Sequence, residues 1–340
     1  MIQTAIVGGG LAGAYCASRL TENDVFPVIF DHTHPREKPC GGLVSPLALK
    51  LFPFLKRLPI EHSVRNRICV ISPCGKRVCA RLRKSEMLGF SRLKLDHYLV
   101  NMAVDKGAEL INEKVIALER KNQLWQVKTI KQTYLAKTLV GADGVNSLVR
   151  SKVVGPLSVR DKGICFGYLV RGLEKEEITI RFSPYRKGFT WVIPRSRNTS
   201  LGIGCTEIKH SHGLRRELDM LIQHCFPHIE KISKWAALIP NVKDVKTFRV
   251  PLAGTNWILI GDAAGHVNPR SGEGILYALL DGKLAAQAIA DKNPQLFDKL
   301  WKKAYGWSFF SNIKLGQWVC KKPILELYCK CLRLESIIQP

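Results

Sequence analysis

The 340-residue chain has few acidic residues, with 28 Asp and Glu against 52 Lys and Arg, so its formal net charge at pH 7 is +24. It contains no apolar run of the roughly 18–20 residues that a membrane-spanning helix needs, so we expect that the chain does not cross the bilayer. No CxxC pair occurs among its 11 cysteines. Because Cys69, Cys74 and Cys79 lack the spacing of zinc ligands, no metal site is predicted.

The N-terminus and the cysteines indicate a compartment. A strand pattern begins at Ile2, which leaves no room for a signal peptide. An odd number of cysteines without a secretory signal favours a reducing cytoplasm. The excess of positive charge predicts an anionic partner, which would be nucleic acid, a phosphorylated ligand or a lipid surface, unless the surface is simply basic and well solvated.

The order of hydrophobic patterns predicts an α/β protein with two domains. Buried-strand patterns at 2–7, 25–31, 138–142 and 257–260, with helical patterns at 14–20, 92–106 and 272–290, indicate a Rossmann-like domain. Residues 178–182 alternate instead, which predicts a second domain on a mixed or antiparallel sheet. The predicted division is 1–65, 90–155 and 250–295 for a discontinuous cofactor-binding domain, 66–89 and 156–249 for a substrate-binding domain, and 296–340 for a helical C-terminal segment.

A glycine pattern stands where a dinucleotide-binding loop belongs. Gly8, Gly10 and Gly13 form GxGxxG between the first strand and the first helix. Such glycines allow a tight turn, a close approach to pyrophosphate and close helix packing, while the helix N-terminus faces the negative charge. Asp31, 18 residues after Gly13, ends the second strand, where a carboxylate can accept hydrogen bonds from ribose hydroxyls.

Two further glycine–acid turns follow predicted strands. One is Gly261-Asp262-Ala263-Ala264-Gly265, continued by Gly272 and Gly274. Its carboxylate can hold the ribityl hydroxyls of a flavin, and its glycines open a helix whose N–H groups face the flavin ring. The other is Gly141-Ala142-Asp143-Gly144. Each acid, taken alone, is also compatible with a helix cap.

In this order the three motifs resemble the FAD-binding half of the p-hydroxybenzoate-hydroxylase-like flavoproteins, over about 290 residues. Two stretches narrow the resemblance to the geranylgeranyl reductase family. Residues 38–43, KPCGGL, are similar to its cysteine–glycine–glycine loop. Residues 185–194, YRKGFTWVIP, are similar to its aromatic motif, with Ile193 where the family has phenylalanine.

The resemblance implies an FAD-dependent oxidoreductase that reduces carbon–carbon double bonds of a prenyl or lipid-like substrate with hydride from flavin N5. It implies an external electron donor, either NAD(P)H or a redox protein, and no nucleic-acid partner. It also implies a set of residues around FAD, namely Gly8, Gly10, Ala12, Gly13, Asp31, Cys40, Gly41, Gly42, Arg92, Val115, Asp143, Asp262, Gly272, Gly274 and Ile275.

The chemistry predicts roles for three more side chains. Reducing an isolated alkene needs a proton donor and a dry apolar tunnel beside the flavin. Cys40, next to two glycines, is the predicted catalytic residue, as proton donor or as a gate to the flavin. Phe189 and Trp191 are predicted to line the tunnel. The alternative is that Cys40 is a small packing residue and that the aromatic side chains belong to the core.

Two other functions remain open. Phe189-x-Trp191-x-Ile193-Pro194 resembles the Trp-x-Trp-x-Ile-Pro motif of flavin halogenases, without the first tryptophan, so an FAD-dependent monooxygenase or halogenase is the enzymatic alternative. The non-enzymatic alternative is a redox-responsive flavoprotein on a membrane surface.

Residues 297–335 combine positive charge with aromatic side chains. Eight lysines and arginines face three acids there, a net +5, with Trp301, Tyr305, Trp307, Phe309, Phe310 and Trp318 among them. This composition is typical of a helix at a membrane interface, and equally of a helical cap that buries its aromatic side chains. We therefore expect a cytoplasmic protein that attaches peripherally to the inner face of an anionic membrane.

Overall fold

The computed structural model describes residues 1–173, 175–183, 187–319 and residue 326. The chain divides into two compact units. Unit 1 comprises Met1–Glu37, Leu93–Asp161 and Pro240–Ile313, and unit 2 comprises Lys38–Arg92, Lys162–Ile239 and Lys314–Pro340. These bounds differ from the predicted ones, because residues 38–65 fall in unit 2 and residues 296–313 in unit 1.

The strands, in chain order, are β1 (Ile2–Val7), β2 (Val28–Phe30), β3 (Leu43–Val44), β4 (His62–Arg65), β5 (Arg67–Ile71), β6 (Arg77–Arg81), β7 (Met87–Phe90), β8 (Glu109–Ile111), β9 (Val115–Lys121), β10 (Leu124–Thr129), β11 (Thr133–Gly141), β12 (Lys162–Arg171), β13 (Ile178–Phe182), β14 (Gly188–Pro194), β15 (Thr199–Cys205), β16 (Glu230–Pro240), β17 (Ala253–Gly254) and β18 (Trp257–Leu259). The helices are α1 (Leu11–Thr21), α2 (Pro46–Leu51), α3 (Arg92–Val104), α4 (Leu148–Val153), α5 (Leu214–Cys225), α6 (Ile275–Ala290), α7 (Leu296–Trp301) and α8 (Trp307–Val319), with a π-helical turn at Lys302–Gly306 between the last two.

Unit 1 is built on a parallel sheet in the order β18-β11-β1-β2-β8, with β17 antiparallel at one edge and the β9–β10 hairpin attached to β11. Val7 lies opposite both Phe30 and Gly141, and Gly141 lies opposite Leu259. The carboxyl ends of four parallel strands therefore meet at one edge, where an α/β sheet binds its ligands. Helices α1 and α6 approach closely, since a Cβ on Gly282 would lie 2.9 Å from the Ala12 carbonyl oxygen.

Unit 2 contains a seven-stranded sheet in the order β16-β12-β15-β14-β13-β5-β6 and a small sheet β3-β7-β4. Strands β13 and β5 are parallel, while in the run β12-β15-β14-β13 each strand is antiparallel to its neighbour. Helix α5 buries Leu214, Leu218 and Ile222 against side chains of β12 and β15. The predicted fold class, a Rossmann-like domain with a second mixed-sheet domain, is confirmed. Residues 38–65 belong to unit 2 because β3 and β4 both pair with β7.

One cysteine pair departs from the expectation of a reducing compartment. Cys69 in β5 lies directly opposite Cys79 in β6, and the two form a disulfide. A disulfide is unusual in a reducing cytoplasm. The sequence analysis missed the pair because the strand register, rather than any CxxC spacing, brings the two sulfur atoms together.

The C-terminal prediction is met in part. Residues 296–319 form α7, the π-helical turn and α8, and the rest of the predicted helical segment, apart from Glu326, lies outside the described residues. No helix within the described part of the chain is long and apolar enough to cross a membrane.

Candidate functional site

Three loops of unit 1 follow the carboxyl ends of β1, β11 and β18, and they carry the three predicted motifs. The Ala142 N–H donates to the carbonyl of Val7 at 2.8 Å, which fastens the second loop to the first. A Cβ on Gly261 would lie 3.0 Å from the Cβ of Ala12, so the third loop packs against the first turn of α1. Motifs whose contacting residues are 135 and 249 positions apart along the chain are therefore neighbours at one sheet edge.

The glycine loop fits a pyrophosphate. A Cβ on Gly13 would lie 2.0 Å from the Gly8 carbonyl oxygen, and a Cβ on Gly8 would lie 2.3 Å from the Ala142 carbonyl oxygen. At Gly10 the position is open, with only an Asp96 carboxylate oxygen at 4.0 Å. No side chain caps the N-terminus of α1, which begins directly after Gly10. Its N–H groups are therefore open to a phosphate, and the role predicted for this loop stays a prediction.

Asp31 braces this loop from the end of β2. One of its carboxylate oxygens accepts from the Gly9 N–H at 2.9 Å, and the other accepts from the N–H and hydroxyl of Thr33. Burial acts to raise the pKa of Asp31, but these hydrogen bonds and the nearby Arg36 outweigh it, so the pKa lies below its usual value. An ionised acceptor at this position suits a ribose hydroxyl as well as the loop.

Asp143 has a local role. Its carboxylate accepts from the N–H groups of Leu148 and Val149 and from the hydroxyl of Ser147, which caps α4. Burial is the main cause of the raised pKa of Asp143. The helix-cap interpretation that the sequence left open for this acid therefore describes its observed contacts. Arg150 in α4 donates to the Ala263 carbonyl at 3.2 Å and so ties the second loop to the third.

Asp262 lies in the third loop, close to the start of α6. A Cβ on Gly274 would lie 3.6 Å from an Asp262 carboxylate oxygen, and no side chain caps the helix at Gly274. Gly272 has a φ of +72°, in the left-handed region that favours glycine. Ile275 is buried in the first turn of the helix. The predicted carboxylate and the predicted helix opening are thus adjacent, in the arrangement that a flavin side chain and ring would need.

A buried polar network supports this loop, and the sequence analysis missed it. Asp281, within α6, accepts from the Gly261 N–H at 2.8 Å and from Nδ1 of His266 at 2.8 Å. The Tyr305 hydroxyl donates to the other oxygen of Asp281. His266 and Asp281 are fully buried, and burial together with Asp281 raises the pKa of Tyr305. An aspartate in the largely apolar run ILYALLDGKLAAQAIA was the available signal.

The remaining predicted cofactor residues divide between the two units. Val115 is buried in unit 1 at the start of β9. Arg92, also buried, begins α3 and is grouped with unit 2, as are Cys40, Gly41 and Gly42.

In unit 2 the cysteine–glycine–glycine loop is held on the large sheet. The Arg195 guanidinium donates to the Cys40 carbonyl at 2.6 Å and to the Gly41 carbonyl at 3.2 Å. The Ser200 hydroxyl also donates to the Cys40 carbonyl, and the Trp191 indole N–H donates to that hydroxyl. A Cβ on Gly41 would lie 2.6 Å from the Ile193 side chain. The predicted catalytic residue and the predicted tunnel residue Trp191 are therefore linked through one serine.

Two tryptophans form a stacked pair on this sheet. The Trp191 and Trp235 rings lie 6.0 Å apart with 25° between their planes. Gly202 and Gly167, opposite each other in β15 and β12, make room for them, because a Cβ at either glycine would lie 2.3 Å from an indole carbon. Trp191 is buried, whereas Trp235 and Phe189 are half-buried. Trp235 was not predicted, and Tyr185 lies outside the described residues.

No family model matches the chain, but it is similar to curated proteins and to solved structures. The geranylgeranyl diphosphate reductase of Rhodobacter capsulatus is 29% identical and aligns with 83% of this chain and 73% of its own. A crystal structure of a geranylgeranyl bacteriochlorophyll reductase-like protein from Thermoplasma acidophilum superposes with a TM-score of 0.82 at 19% identity, covering 97% of this chain and 91% of that one. The halogenase PltM, solved with phloroglucinol and FAD, superposes with a TM-score of 0.69 at 16% identity. The superposition covers 85% of this chain and 69% of the halogenase chain.

The chain is a homologue of the geranylgeranyl reductases. The resemblance inferred from the KPCGGL loop is thereby confirmed, and so is the prediction of an oxidoreductase, since the relatives are named as reductases. At 16–19% identity, the two solved structures establish the fold alone. The halogenase was solved with FAD bound.

Proposed function

We propose that this geranylgeranyl reductase homologue is an FAD-dependent oxidoreductase that reduces carbon–carbon double bonds of a prenyl or lipid-like substrate. The observation that carries the proposal is the Cys40 loop, which Arg195 and Ser200 fix beside Trp191. A thiol whose loop is held on an apolar aromatic surface suits the addition of hydrogen to an alkene better than the chemistry of a polar substrate.

The residues of unit 1 would hold FAD. Gly10 and the N-terminus of α1 would receive its pyrophosphate, Asp31 its ribose, and Asp262 with Gly274 its flavin end. FAD, once reduced by the external electron donor, would supply a hydride to one carbon atom of the alkene. The chain must then supply the proton and keep water out.

The residues of unit 2 would meet the substrate. The Cys40 thiol is the proposed proton donor for the second alkene carbon. Phe189 and Trp235, half-buried on either side of buried Trp191, would present ring edges to a prenyl chain. The loop is held through its backbone carbonyls, and the Cys40 sulfur accepts from the Gly42 N–H at 3.3 Å, so the thiol proton can still be donated.

The relative's name suggests a substrate. The Rhodobacter capsulatus protein is named for geranylgeranyl diphosphate, and a prenyl diphosphate is accordingly the first compound to offer this chain. Electrons would come from NAD(P)H or a redox protein. The test is turnover of geranylgeranyl diphosphate without oxygen, with dithionite as reductant and mass spectrometry of the product. We expect two hydrogens to be gained per double bond; absence of any reduced product would refute the proposal.

A monooxygenase or halogenase is the second candidate, favoured by the similarity to the halogenase structure. Such an enzyme would consume oxygen in proportion to its product and would be inactive without it. The replacement of the first tryptophan of the halogenase motif by Phe189 speaks against this candidate.

We also propose peripheral attachment to an anionic membrane through the helical C-terminus. Trp301, Tyr305 and Phe309 are buried, but Trp307 is 83% exposed, and Lys302 and Lys303 are exposed beside it. Each lysine near an anionic surface contributes about 1 kcal/mol to the free energy of binding.

The test of this attachment is co-sedimentation with phosphatidylglycerol vesicles. We expect binding at low salt that weakens at high salt. A protein that binds the vesicles but turns over no lipid would favour the non-enzymatic alternative. Equal, weak binding to neutral and anionic vesicles would refute the attachment.

A further inference from the structure

A basic pocket lies in unit 2, at the end of the large sheet where β12, β14 and β15 meet. Its volume is about 720 Å³, and its charged lining consists of Arg65, Arg171, Lys175, Arg195, Arg197 and Glu176. Five cationic side chains thus face one carboxylate among the described residues of the lining. Such a concave cluster of positive charge attracts a polyanion.

Acidic neighbours reduce this charge without removing it. Arg197 pairs with Glu61 at 2.6 Å, and Arg171 approaches Glu230 at 3.6 Å. Arg171 and Arg197 are more than half exposed, and exposed ion pairs of this kind are weak and easily exchanged. With Glu61, Glu230 and Glu176 all counted, five cations still face three carboxylates among the described residues.

Arg65 contributes a donor that points to a ligand. Its Nε atom is buried and has no hydrogen-bond partner, although its Nη1 group donates to the Val64 carbonyl. A buried guanidinium N–H without an acceptor is costly, and an oxygen of a bound anion would relieve that cost. Guanidinium groups bind phosphate oxygens with paired, directional hydrogen bonds.

Arg195 connects the pocket to the candidate active site. It is only 5% exposed, lines the pocket and donates to the carbonyls of Cys40 and Gly41. An anion bound in the pocket would therefore lie against the same side chain that holds the Cys40 loop.

We propose that this pocket binds a diphosphate group. A diphosphate carries two linked phosphates, which suits several separate cations in a cavity larger than one phosphate needs. The inference rests on the proposed function, which offers two sources of the group: the head of a prenyl diphosphate substrate, or the diphosphate of a nicotinamide dinucleotide donor.

The binding test uses inorganic pyrophosphate and the FAD-loaded protein. The variant Arg171→Gln/Arg197→Gln removes two exposed charges, so it is expected to fold, and Lys56→Gln removes one exposed charge of the same unit from its pair with Glu86. Calorimetry should show pyrophosphate binding that the double variant weakens about tenfold or more and that Lys56→Gln leaves unchanged. Equal affinity in all three proteins would overturn the proposal.

Kinetics then separate the two sources. If the pocket holds the substrate, the double variant raises KM for geranylgeranyl diphosphate with dithionite as reductant and leaves both kcat and KM for geranylgeraniol unchanged. If it holds the donor, the variant slows flavin reduction by NADPH instead. If the double variant shows neither of these two effects, the proposal is overturned. Pyrophosphate binding in a protein that reduces no prenyl compound would refute the proposed function while the pocket stands.

Discussion

The two units of this chain build their sites in different ways. In unit 1, short loops after β1, β11 and β18 offer glycine backbone and helix N-termini, and carboxylates brace them. In unit 2, the Cys40 loop is held by side chains from β14–β15, more than 150 residues further along the chain. A site made of backbone and local turns has a short sequence pattern, whereas a site made of distant side chains leaves no local pattern in the sequence.

The largest expected effect is at Gly13. Gly13→Ala would place a methyl carbon 2.0 Å from the Gly8 carbonyl oxygen, which cannot move without displacing the phosphate loop. We expect FAD to be lost from the purified protein and the melting temperature to fall. The control is Gly144→Ala, where no atom lies within 4 Å of the added Cβ and only the positive φ is strained, so FAD should be retained. Full FAD content in Gly13→Ala would break the account of unit 1.

The next effect, at Cys40, belongs to unit 2. Cys40→Ala and Cys40→Ser should retain FAD, because the loop is held by backbone carbonyls, but should slow reduction by about 10²-fold or redirect it to another double bond. The matched control is Cys225→Ala, which removes an exposed thiol at the end of α5. Anaerobic product analysis checks this, and unchanged rates and products in both Cys40 variants would make Cys40 a packing residue.

Asp262 tests whether a single carboxylate of unit 1 binds cofactor. Loss of a charged acceptor weakens a hydrogen bond by about 1.5–3 kcal/mol, so Asp262→Ala should raise the Kd for FAD about 10- to 150-fold. Asp291→Ala, at the opposite end of α6, is the control and should bind FAD normally. Fluorescence titration of the apoprotein measures both, and normal FAD affinity in Asp262→Ala would remove the third loop from the site.

The smallest effect on cofactor binding is expected at Tyr305, which contacts Asp281 from outside the loop. Tyr305→Phe leaves the buried Asp281 oxygen without its donor and should lower the free energy of unfolding by about 1–3 kcal/mol. FAD affinity should change less than in Asp262→Ala, because the Gly261 N–H still meets Asp281. Denaturant unfolding checks this, and an unchanged midpoint would show that the network does not stabilise the loop.

The difference between the local loops of unit 1 and the distant side chains of unit 2 also explains how much of the site the sequence could predict. The sequence showed the site residues of unit 1 because their positions are set by local structure. The GxGxxG loop and the third loop each lie between a strand and a helix, and Asp31 ends a strand. The Cys40 loop was found only through family resemblance. The sequence analysis missed Arg195, Trp235 and the pairing of Cys69 with Cys79. The sheet register brings these side chains next to their partners, and the register is not visible in the sequence. Asp281 could be predicted only in part. The sequence shows an aspartate in a largely apolar helix, but it does not show which groups bind that aspartate.

The central claim is that reduced flavin on this chain passes its electrons to a carbon–carbon double bond. The direct measurement is the absorbance of the FAD-loaded protein, reduced with dithionite under argon and mixed with geranylgeranyl diphosphate. The account predicts that the absorbance of oxidised flavin returns without oxygen, in step with a product that has gained two hydrogens. Flavin that stays reduced until oxygen is admitted, and then yields an oxygenated or halogenated product, would contradict it.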